Sequence, residues 1–329
     1  MIKISTPKIT GDDILAVQKV LEETQLSGRS PVCAQLENDF AKYVGAEYAI
    51  AVNSGTSALS LAMKAMGIGP GDEVIVPDFA FIAVPNAVSH TGAKPVLVDC
   101  DPDTFNIDPK KIRITFKTKA IIAVHTYGHP CDMVELSKFG VPVIEDACEA
   151  LGAEYGGLKV GGISQIGCFS FFGNKTITAG EGGMVVTSDP NLAKEVRLLK
   201  DQYRTGQYVH EKIGYGMSLG AMQCALIQSQ LKRVDEILEH ARYMASRYNV
   251  LGIRPTIRPH VKHSWWMYAV KRDIQLDFLE YRSGFPPIHS QRPYLQAGDF
   301  PVSRSLSLTL LPLTCTEEEQ DSIINAIIH

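Results

Sequence analysis

A lysine among glycines and aromatic residues is the first candidate for chemistry in this sequence. Lys175 follows the aromatic run Cys168–Phe172, and glycines stand nearby at Gly173 and Gly180. The run is predicted to be a buried strand, which would place the lysine just beyond the edge of a sheet. A partly desolvated lysine has a lowered pKa and can form a Schiff base with an aldehyde. The alternative is an ordinary surface lysine whose ammonium group reaches solvent.

Two adjacent acidic residues form the second candidate. Glu145 and Asp146 follow the apolar run Val141–Ile144, which is also predicted to be a buried strand. A buried carboxylate needs a partner, because its desolvation otherwise costs several kcal/mol. That partner is either a cationic ligand or a structural group, such as a basic side chain or the first N–H groups of a helix.

Small polar residues at a strand-to-helix junction form the third candidate. The predicted strand Tyr48–Val52 leads into the segment Asn53–Leu59, where a helix begins near Ser54, Gly55 and Thr56. The N-terminus of a helix offers free N–H groups and the positive end of the helix dipole, so it suits a phosphate. The alternative is ordinary capping of the helix by Ser54 or Thr56.

Strands and helices that alternate along the chain must position these candidates. Apolar runs rich in β-branched residues are typical of strands buried on both faces. Seven such runs are predicted strands: Tyr48–Val52, Glu73–Val76, Pro95–Val98, Ala120–Val124, Val141–Ile144, Cys168–Phe172 and Gly183–Thr187. Helices are predicted between or after them, including Thr56–Met66, Val84–His90 and Asp189–Gln202. The pattern predicts an α/β fold of three layers, α/β/α, around a mostly parallel sheet that binds ligands at its strand ends.

The pattern changes towards the C-terminus. The segment Gly220–Tyr248 is predicted to be one long helix, because its apolar residues recur at helical spacing. Beyond about residue 240, short strands such as Trp266–Val270 mix with loops, and a last helix is predicted over Glu317–Ile328. We therefore expect a large domain over residues 1–235, which holds the three candidates, and a smaller C-terminal α+β domain over residues 236–329.

The composition restricts the class of protein. The chain has 329 residues, of which 32 are basic and 36 acidic, so the formal net charge is −4. Nucleic-acid binding needs a clear basic excess, so we expect no such partner. An apolar share of 45% and a charged share of 21% are typical of globular proteins. We expect a cytoplasmic protein without membrane contact, because we find neither an apolar run of roughly 20 residues nor the apolar core of a secretory signal.

Cysteine and histidine give only weak signals. The seven cysteines are scattered without a C-x-x-C pair, which argues against a disulfide framework or a structural zinc site. One cluster of metal-ligand side chains follows the predicted strand Ala120–Val124: His125, His129, Cys131 and Asp132. It lacks a helical i, i+4 frame and an evident distant partner, so we predict no metal.

The three candidates together fit pyridoxal phosphate (PLP). This cofactor needs a site for its phosphate, a carboxylate for its pyridine nitrogen and a lysine for its aldehyde. From about Leu26 to Leu313, the sequence resembles the fold-type I, PLP-dependent nucleotide-sugar aminotransferases. Five segments match the motifs of that family in order and spacing: Ser27–Gly28, Asn53–Leu59, Glu145–Ala147, Phe169–Phe171 and Lys175. The resemblance implies the fold of that family, with PLP in the large domain.

Two catalytic residues are implied by this resemblance. Lys175 matches the lysine that forms the Schiff base with PLP and later moves a proton between the amino donor and the cofactor. Asp146 matches the carboxylate that keeps the pyridine nitrogen protonated. The protonated ring is then an electron sink for the carbanion of the donor.

Further residues are implied to bind the cofactor. Four small residues match its phosphate contacts: Gly55, Thr56, Ser57 and Ser170. Phe81 matches the aromatic residue that stacks on the ring, and the alternative for Phe81 is plain core packing. Glu149 matches the residue beside the 3-oxygen of PLP, where many relatives carry glutamine.

The implied reaction moves the amino group of glutamate to a keto sugar carried on a nucleotide. The segments Ser170–Thr178, Trp266–Tyr268 and Phe285–His289, together with Glu149, most resemble the branch that aminates C4 of GDP-4-dehydro-6-deoxymannose. A sugar carried on UDP or dTDP, and amination at C3, stay open. So does a protein that binds PLP but has lost turnover.

A homodimer is also implied, in which each chain completes the active site of the other. The segment Gly214–Leu219 departs from the family here. Gly216 stands where relatives carry an asparagine that reaches the phosphate of the neighbouring subunit's cofactor, and Ser218 stands where they carry an arginine. We therefore expect one polar contact to PLP fewer than in relatives. The segment before His289 also looks shorter than usual.

Overall fold

Fourteen strands are present in the computed structural model, which describes residues 1–252 and 255–328. In chain order they are β1 (Tyr48–Val52), β2 (Glu73–Pro77), β3 (Lys94–Val98), β4 (Thr118–Val124), β5 (Val143–Asp146), β6 (Glu154–Tyr155), β7 (Leu158–Lys159), β8 (Ile166–Ser170), β9 (Gly183–Thr187), β10 (Arg204–Gly206), β11 (Val209–His210), β12 (Val261–Lys262), β13 (Tyr268–Val270) and β14 (Thr309–Leu311). Seven of them form one sheet in the order β1-β9-β8-β5-β4-β2-β3. Within this sheet β9 alone runs opposite to the other six strands, which confirms the predicted mostly parallel arrangement.

Helices cover both faces of this sheet. In chain order they are α1 (Gly11–Glu23), α2 (Pro31–Val44), α3 (Gly55–Ala65), α4 (Ala83–Thr91), α5 (Met133–Ser137), α6 (Pro190–Lys200), α7 (Ala221–Leu231), α8 (Val234–Arg247), α9 (Pro301–Ser305) and α10 (Glu317–Ile328). One face packs on α3, α4 and α6, through buried residues such as Leu61 and Val196. The other face packs on α2 and α7, through Phe40 and Ile227. The predicted three-layer α/β/α architecture is therefore confirmed.

The directions of the strands bring the three candidate motifs to one edge of the sheet. β5 and β8 are parallel, so their last residues, Asp146 and Ser170, lie at the same edge. β1 is antiparallel to β9, and β9 is antiparallel to β8, so β1 points the same way as β8. The end of β1 leads into α3 at Gly55. Ligands bind at such carboxyl ends of strands in open α/β sheets.

Two of the predicted strands are displaced along the chain. β5 lies two residues after the predicted Val141–Ile144, and β8 lies two residues before the predicted Cys168–Phe172. The bounds follow backbone pairing rather than hydropathy. Asp146 pairs with Val124 on the neighbouring strand although it is acidic. Phe171 is fully buried, but its N–H donates to the carbonyl of Gly182 in a turn beyond the ladder.

The predicted long helix over Gly220–Tyr248 is wrong, because the chain breaks into α7 and α8. Arg233, between them, has φ −119° and ψ 18°, outside the helical region. Its guanidinium donates to both oxygens of Asp13, at 2.9 and 2.7 Å, and to the carbonyl of Lys8. Asp13 is fully buried in α1. This ion pair between distant segments accompanies the break and leaves no trace in the local spacing of apolar residues.

The C-terminal part builds a third apolar cluster from the end of α8, β13, β14 and α10. Met244, Tyr268 and Leu310 are buried in it, and Phe79 from the sheet side joins them. The predicted strand Trp266–Val270 is shortened to β13. The division into domains at residue 235 stays a prediction, and three residues of the predicted second domain, 253, 254 and 329, lie outside the described residues.

No helix within the described residues has the length and apolar character that a membrane crossing requires. All seven cysteines are free thiols. In residues 1–252 and 255–328, no group of three or more His, Cys, Asp or Glu side chains is placed to hold a metal ion. His125 instead accepts a hydrogen bond from the N–H of Cys131 at 2.9 Å within a fully buried network.

Candidate active site

One cavity of about 180 Å³ lies at the edge of the sheet where the three motifs meet. Seven of the residues predicted to bind PLP line it: Gly55, Thr56, Phe81, Asp146, Glu149, Ser170 and Lys175. Ser57 is not among the lining residues. Its N–H and its hydroxyl lie 3.1 and 2.9 Å from the Oγ of Ser54, which caps α3. The structure therefore gives Ser57 a place in the cap of the helix, away from the cavity.

The start of α3 forms a corner of the cavity that suits an anion. Gly55 and Thr56 are the first residues of this 11-residue helix, so their N–H groups have no carbonyl partner within it. A Cβ atom at residue 55 would lie 2.9 Å from both the Sγ of Cys148 and the Cβ of Ser170, and 3.3 Å from the Ser170 hydroxyl. Only glycine fits so close an approach. N–H groups without a partner in the helix, beside a hydroxyl at the helix N-terminus, fit a phosphate.

Asp146 supplies a buried carboxyl group to the same cavity. It is 5% exposed and accepts a hydrogen bond from the N–H of Cys148 at 3.0 Å. Among the described residues it forms no salt bridge with a basic side chain. Burial raises its pKa, although the bonds to Cys148 and the charges of Lys175 and His125 act in the opposite direction. A cationic ligand would relieve this cost, and a protonated pyridine nitrogen is such a ligand.

Glu145, the other acidic residue of the pair, has structural partners. Its carboxylate lies 3.2 Å from the Nε2 of His125. It also accepts hydrogen bonds from the N–H groups of Gly161, Ile163 and Ser164, at 2.6 to 2.9 Å. Burial opposes ionisation, but these hydrogen bonds outweigh it and lower the pKa of Glu145. The structural explanation therefore holds for Glu145, whereas a cationic ligand for Asp146 stays a prediction.

Lys175 lies in the connection between β8 and β9, and its ammonium group turns into the cavity. Its side chain is 12% exposed, and its Nζ lies 3.9 Å from Glu149 Oε1. The same Nζ lies 3.5 Å from the centre of the Trp266 ring, within the range of a cation–π contact. Burial lowers the pKa of Lys175, and Glu149, Cys148 and Asp146 counteract part of that effect. A lowered pKa favours the neutral amine that bonds an aldehyde.

Glu149 shares this buried environment. It is 6% exposed, and its Oε2 accepts a hydrogen bond from the N–H of Tyr127 at 2.8 Å. Burial raises its pKa to about 7, even though Lys175 and the Tyr127 N–H favour the carboxylate. Glu149 therefore titrates near neutral pH in the cofactor-free protein.

Replacement of Glu149 by glutamine is expected to flatten the pH dependence of folding stability in the cofactor-free protein. The folded-state pKa of about 7 lies above the ordinary 4.5, so between these values the folded protein holds a proton that the unfolded chain releases. This contribution to stability is present below pH 4.5 and is lost as the pH rises through 7. The loss is about 3 kcal/mol, from about 1.4 kcal/mol per pKa unit.

Urea unfolding of wild type and Glu149→Gln between about pH 5 and about pH 8 measures this difference. The exposed Glu47→Gln is the matched control and should follow the wild type. Parallel profiles for wild type and Glu149→Gln would show that Glu149 keeps an ordinary pKa in the folded protein.

Three side chains from the C-terminal part close the cavity, and none of them had a predicted role. They are Trp266, Arg282 and Phe285. The indole N–H of Trp266 donates to the backbone carbonyl of Asn174 at 2.7 Å, directly before the lysine. Trp266 and Phe285 carried a signal, since both lie in segments that resemble one branch of the family. Arg282 carried none, because a single arginine in a loop has no pattern.

The segment that carries Phe285 is anchored to the sheet by a buried carboxylate. Asp78, directly after β2, is fully buried. Its Oδ2 lies 2.6 Å from the Nδ1 of His289, and its Oδ1 accepts from the His289 N–H at 2.8 Å. Its backbone carbonyl accepts from the N–H of Ile288, and Ser303 donates to the same carboxylate. The C-terminal wall of the cavity is thus fixed to the sheet beside the site.

The departures at Gly216 and Ser218 lie outside this cavity. Gly216 forms an isolated antiparallel bridge with Asp201, and Ser218 forms one with Val52. A Cβ atom at residue 216 would come within 3.2 Å of the Nε2 of Gln202. Gln202 is exposed, so its side chain can yield to a larger residue at 216.

Comparison with known proteins identifies the family. A model of the DegT/DnrJ/EryC1/StrS aminotransferase family matches residues 7–328. The chain belongs to this family. It is similar to the GDP-perosamine synthase of Caulobacter vibrioides, with 39% identity over 361 aligned positions that cover 99% of this chain and 97% of the relative. Because 361 exceeds the 329 residues of this chain, the relative carries segments that this DegT/DnrJ/EryC1/StrS aminotransferase lacks.

Two further relatives widen the comparison. The UDP-2-acetamido-2-deoxy-3-oxo-D-glucuronate aminotransferase of Pseudomonas aeruginosa is 38% identical over 269 positions, covering 78% of this chain and 75% of the relative. The PLP form of a putative sugar aminotransferase from Streptococcus pneumoniae superimposes with a TM-score of 0.91 at 26% identity, covering 98% and 97% of the two chains. This DegT/DnrJ/EryC1/StrS aminotransferase is therefore a PLP-dependent sugar transaminase of fold type I, and the cavity described above fits that cofactor.

Proposed function

We propose that this transaminase moves the amino group of glutamate to C4 of GDP-4-dehydro-6-deoxymannose, giving GDP-perosamine and 2-oxoglutarate. The observation that carries the proposal is the 39% identity to a GDP-perosamine synthase across nearly the whole of both chains. The product is an amino sugar of the kind built into surface polysaccharides such as O-antigens. Transfer of an amino group to a keto sugar on a nucleotide is also the reaction that the resemblance to the family implies.

The proposed catalytic roles belong to Lys175 and Asp146. Bound PLP supplies an electron sink for the electron pair released at the donor Cα. The Nζ of Lys175 takes the proton from that carbon, and its lowered pKa increases the share of neutral amine available for this. Asp146 holds a proton on the pyridine nitrogen, which balances its own buried charge. At about 4 Å and an effective dielectric near 20, that attraction is about 4 kcal/mol before desolvation.

The remaining proposed contacts position the cofactor. The N–H groups of Gly55 and Thr56 and the hydroxyl of Ser170 would bind its phosphate, and Phe81 would stack on its ring. Glu149 holds the ammonium of Lys175 against the indole of Trp266 at the distances given above. In the loaded protein Glu149 would lie beside the 3-oxygen of the cofactor, as the resemblance to the family implies. Ser57 supports this corner as a partner of the Ser54 cap.

We further propose that the chain acts as a cytoplasmic homodimer in which each subunit completes the other's site. Phe81 and Phe172 line the cavity and are 55% and 48% exposed in the single chain. Large apolar side chains exposed together at the mouth of a site favour cover by another surface. Gly216 and Ser218 do not line the cavity of their own chain, which agrees with a position beside the partner's cofactor.

The Gly216→Asn variant is expected to bind PLP about tenfold more tightly than the wild type. The backbone at residue 216 does not need a positive φ, so asparagine can adopt it. A hydrogen bond to a charged phosphate is worth about 1.5–3 kcal/mol, and 1.4 kcal/mol is a factor of ten. Titration of the cofactor-free protein with PLP measures the affinity, with Gly206→Asn as the control, because a Cβ atom at this exposed position comes no closer than 3.5 Å to its neighbours. An unchanged affinity in a folded dimer would indicate that the amide of Gln202 already fills the place.

The experiment that tests the proposed function is transamination of a panel of GDP-, UDP- and dTDP-linked keto sugars with glutamate as donor. We expect the GDP-linked 4-keto sugar to be the preferred acceptor, with nuclear magnetic resonance placing the new amine at C4. Preference for a UDP- or dTDP-linked sugar, as the similarity to the P. aeruginosa enzyme would favour, overturns the assignment of the substrate. Failure of glutamate to convert the bound PLP to its amine form overturns the donor or the activity itself.

A further inference from the structure

Arg282 places a second cation in the active-site cavity beside Lys175. It is half-buried and comes from the loop before Phe285 in the C-terminal part. No carboxylate of residues 1–252 and 255–328 forms a salt bridge with it, although the other cation of the cavity has Glu149 as a partner. The roles proposed above for cofactor binding do not use it. A guanidinium at this position therefore has its charge available to a ligand.

Two neighbours hold the guanidinium in a defined position. With the amide of Asn174 oriented so that its oxygen faces Arg282, that oxygen accepts from both Nη atoms, at 2.8 and 3.2 Å. The guanidinium carbon lies 5.8 Å from the centre of the Trp266 ring, whose N–H donates to the backbone carbonyl of the same Asn174. These partners are neutral. They fix the orientation of Arg282 without neutralising its charge, as expected of a site prepared for an anion.

The position of Arg282 relative to Lys175 indicates which kind of anion suits its guanidinium. Lys175 directly follows Asn174 in the chain, and its Nζ lies 3.5 Å from the centre of the same indole ring. The lysine must reach the carbon that carries the donor's amino group, and that carbon also carries the α-carboxylate. The phosphates of a nucleotide sugar lie on the far side of the sugar ring from the reacting C4. A cation that shares the indole with the lysine is therefore better placed for the carboxylate.

We propose that Arg282 binds the α-carboxylate of the amino donor and thereby orients the donor Cα towards Lys175. The planar fork of a guanidinium matches a carboxylate with two parallel hydrogen bonds, which a lysine at this place would not provide. This assignment rests on the proposed function, since it takes an α-amino acid such as glutamate as the donor. Asn174 and Trp266 act as positioning residues for Arg282.

Binding of maleate, an unreactive dicarboxylate, to the PLP-loaded protein tests the proposal directly by calorimetry. Arg282→Gln is expected to weaken maleate binding roughly ten- to a hundredfold, the value of one charged hydrogen-bonded contact. Arg282→Lys should fall between Arg282→Gln and the wild type, because it keeps the charge but not the fork. Arg304→Gln changes an exposed arginine of α9 outside the cavity and should bind maleate as the wild type does. Circular dichroism and PLP content establish that each variant is folded and loaded.

Binding of GDP and the kinetics of the glutamate half-reaction complete the test. We expect GDP affinity to stay within about twofold in Arg282→Gln, and the apparent KM for glutamate to rise at least tenfold while the maximal rate changes little. Loss of GDP binding with maleate binding retained would assign Arg282 to the nucleotide phosphates and overturn the proposal. So would equal maleate affinities for wild type and Arg282→Gln, or a loss confined to the maximal rate. None of these measurements involves a keto sugar, so an error in the proposed acceptor leaves their meaning unchanged.

Discussion

Lys175→Ala protein is expected to purify without a covalent link between the chain and PLP and to lose transaminase activity. The alanine removes the amine that bonds the cofactor and the base that moves the proton at the donor Cα. A positioned proton-transfer group contributes about 10²–10⁴-fold, so the glutamate half-reaction should slow by at least that factor. Borohydride reduction followed by peptide mapping detects the link, and the absorbance of bound PLP follows the half-reaction.

A matched control for this variant exists in the same chain. Lys200 has a side chain that is 11% exposed and lies 3.2 Å from a carboxylate oxygen of Glu37, but it does not line the active-site cavity. Lys200→Ala therefore removes a comparably buried and paired ammonium and should keep the covalent link. A reduced PLP adduct on a lysine other than Lys175 in the wild type would show that the assignment is wrong.

Asp146→Asn protein is expected to retain some PLP but to lose most of its turnover. The amide cannot stabilise a charged pyridinium, so the electron sink weakens in both half-reactions. An attraction of about 4 kcal/mol at an effective dielectric near 20 corresponds to a loss of up to about 10³-fold. Single-turnover rates with glutamate, and in reverse with 2-oxoglutarate, measure it.

The control for Asp146→Asn is a buried carboxylate outside the cavity. Asp99 is 2% exposed and forms a salt bridge with Lys111 at 2.6 Å. Asp99→Asn should lower the stability of the fold and leave the rates of the loaded enzyme close to those of the wild type. Suppose that Asp146→Asn binds PLP with the same absorption spectrum as the wild type and reacts at near-normal rates. Asp146 would then have no role in the mechanism.

The sheet could be predicted from the sequence, and so could the side of the cavity that the three candidate motifs form, because their signals are local. Continuous apolar runs mark strands buried on both faces, and β1, β9 and α10 have the predicted bounds. The candidates stand directly after such runs, so the direction of the strands was enough to bring Gly55, Asp146 and Lys175 together. For Glu145 and Asp146 the sequence left two explanations for each residue. The structural partners of Glu145 became visible only through its contacts with His125 and with backbone N–H groups of Gly161–Ser164.

The rest depended on contacts between residues far apart in the chain. The break between α7 and α8 accompanies the pairing of Arg233 with Asp13, whose positions differ by 220 residues. The C-terminal wall of the cavity depends on Arg282 meeting the side chain of Asn174, and on Trp266 meeting its backbone. Neither hydropathy nor periodicity reports such pairs. The predicted bounds of β5 and β8 were wrong for a related reason, because pairing with neighbouring strands decides where a strand ends.

The anchoring of His289 on Asp78 ties the C-terminal wall of the cavity to the sheet that is proposed to hold the cofactor. The residues proposed to hold the cofactor, such as Lys175, belong to the sheet and its connections, where each change disturbs a packed core. Arg282 and Phe285 belong to a segment that is also held along its length. The carbonyl of Arg282 accepts from the N–H of Leu310 in β14, and the N–H of Phe285 donates to the hydroxyl of Tyr127 at 3.1 Å. Substitutions that change side chains but keep this backbone pairing would therefore reshape the substrate wall, whereas insertions or deletions would break the pairing with β14. Selectivity for the sugar acceptor can in this way evolve, or be engineered, through side chains of this wall, while Lys175 and Asp146 stay in place.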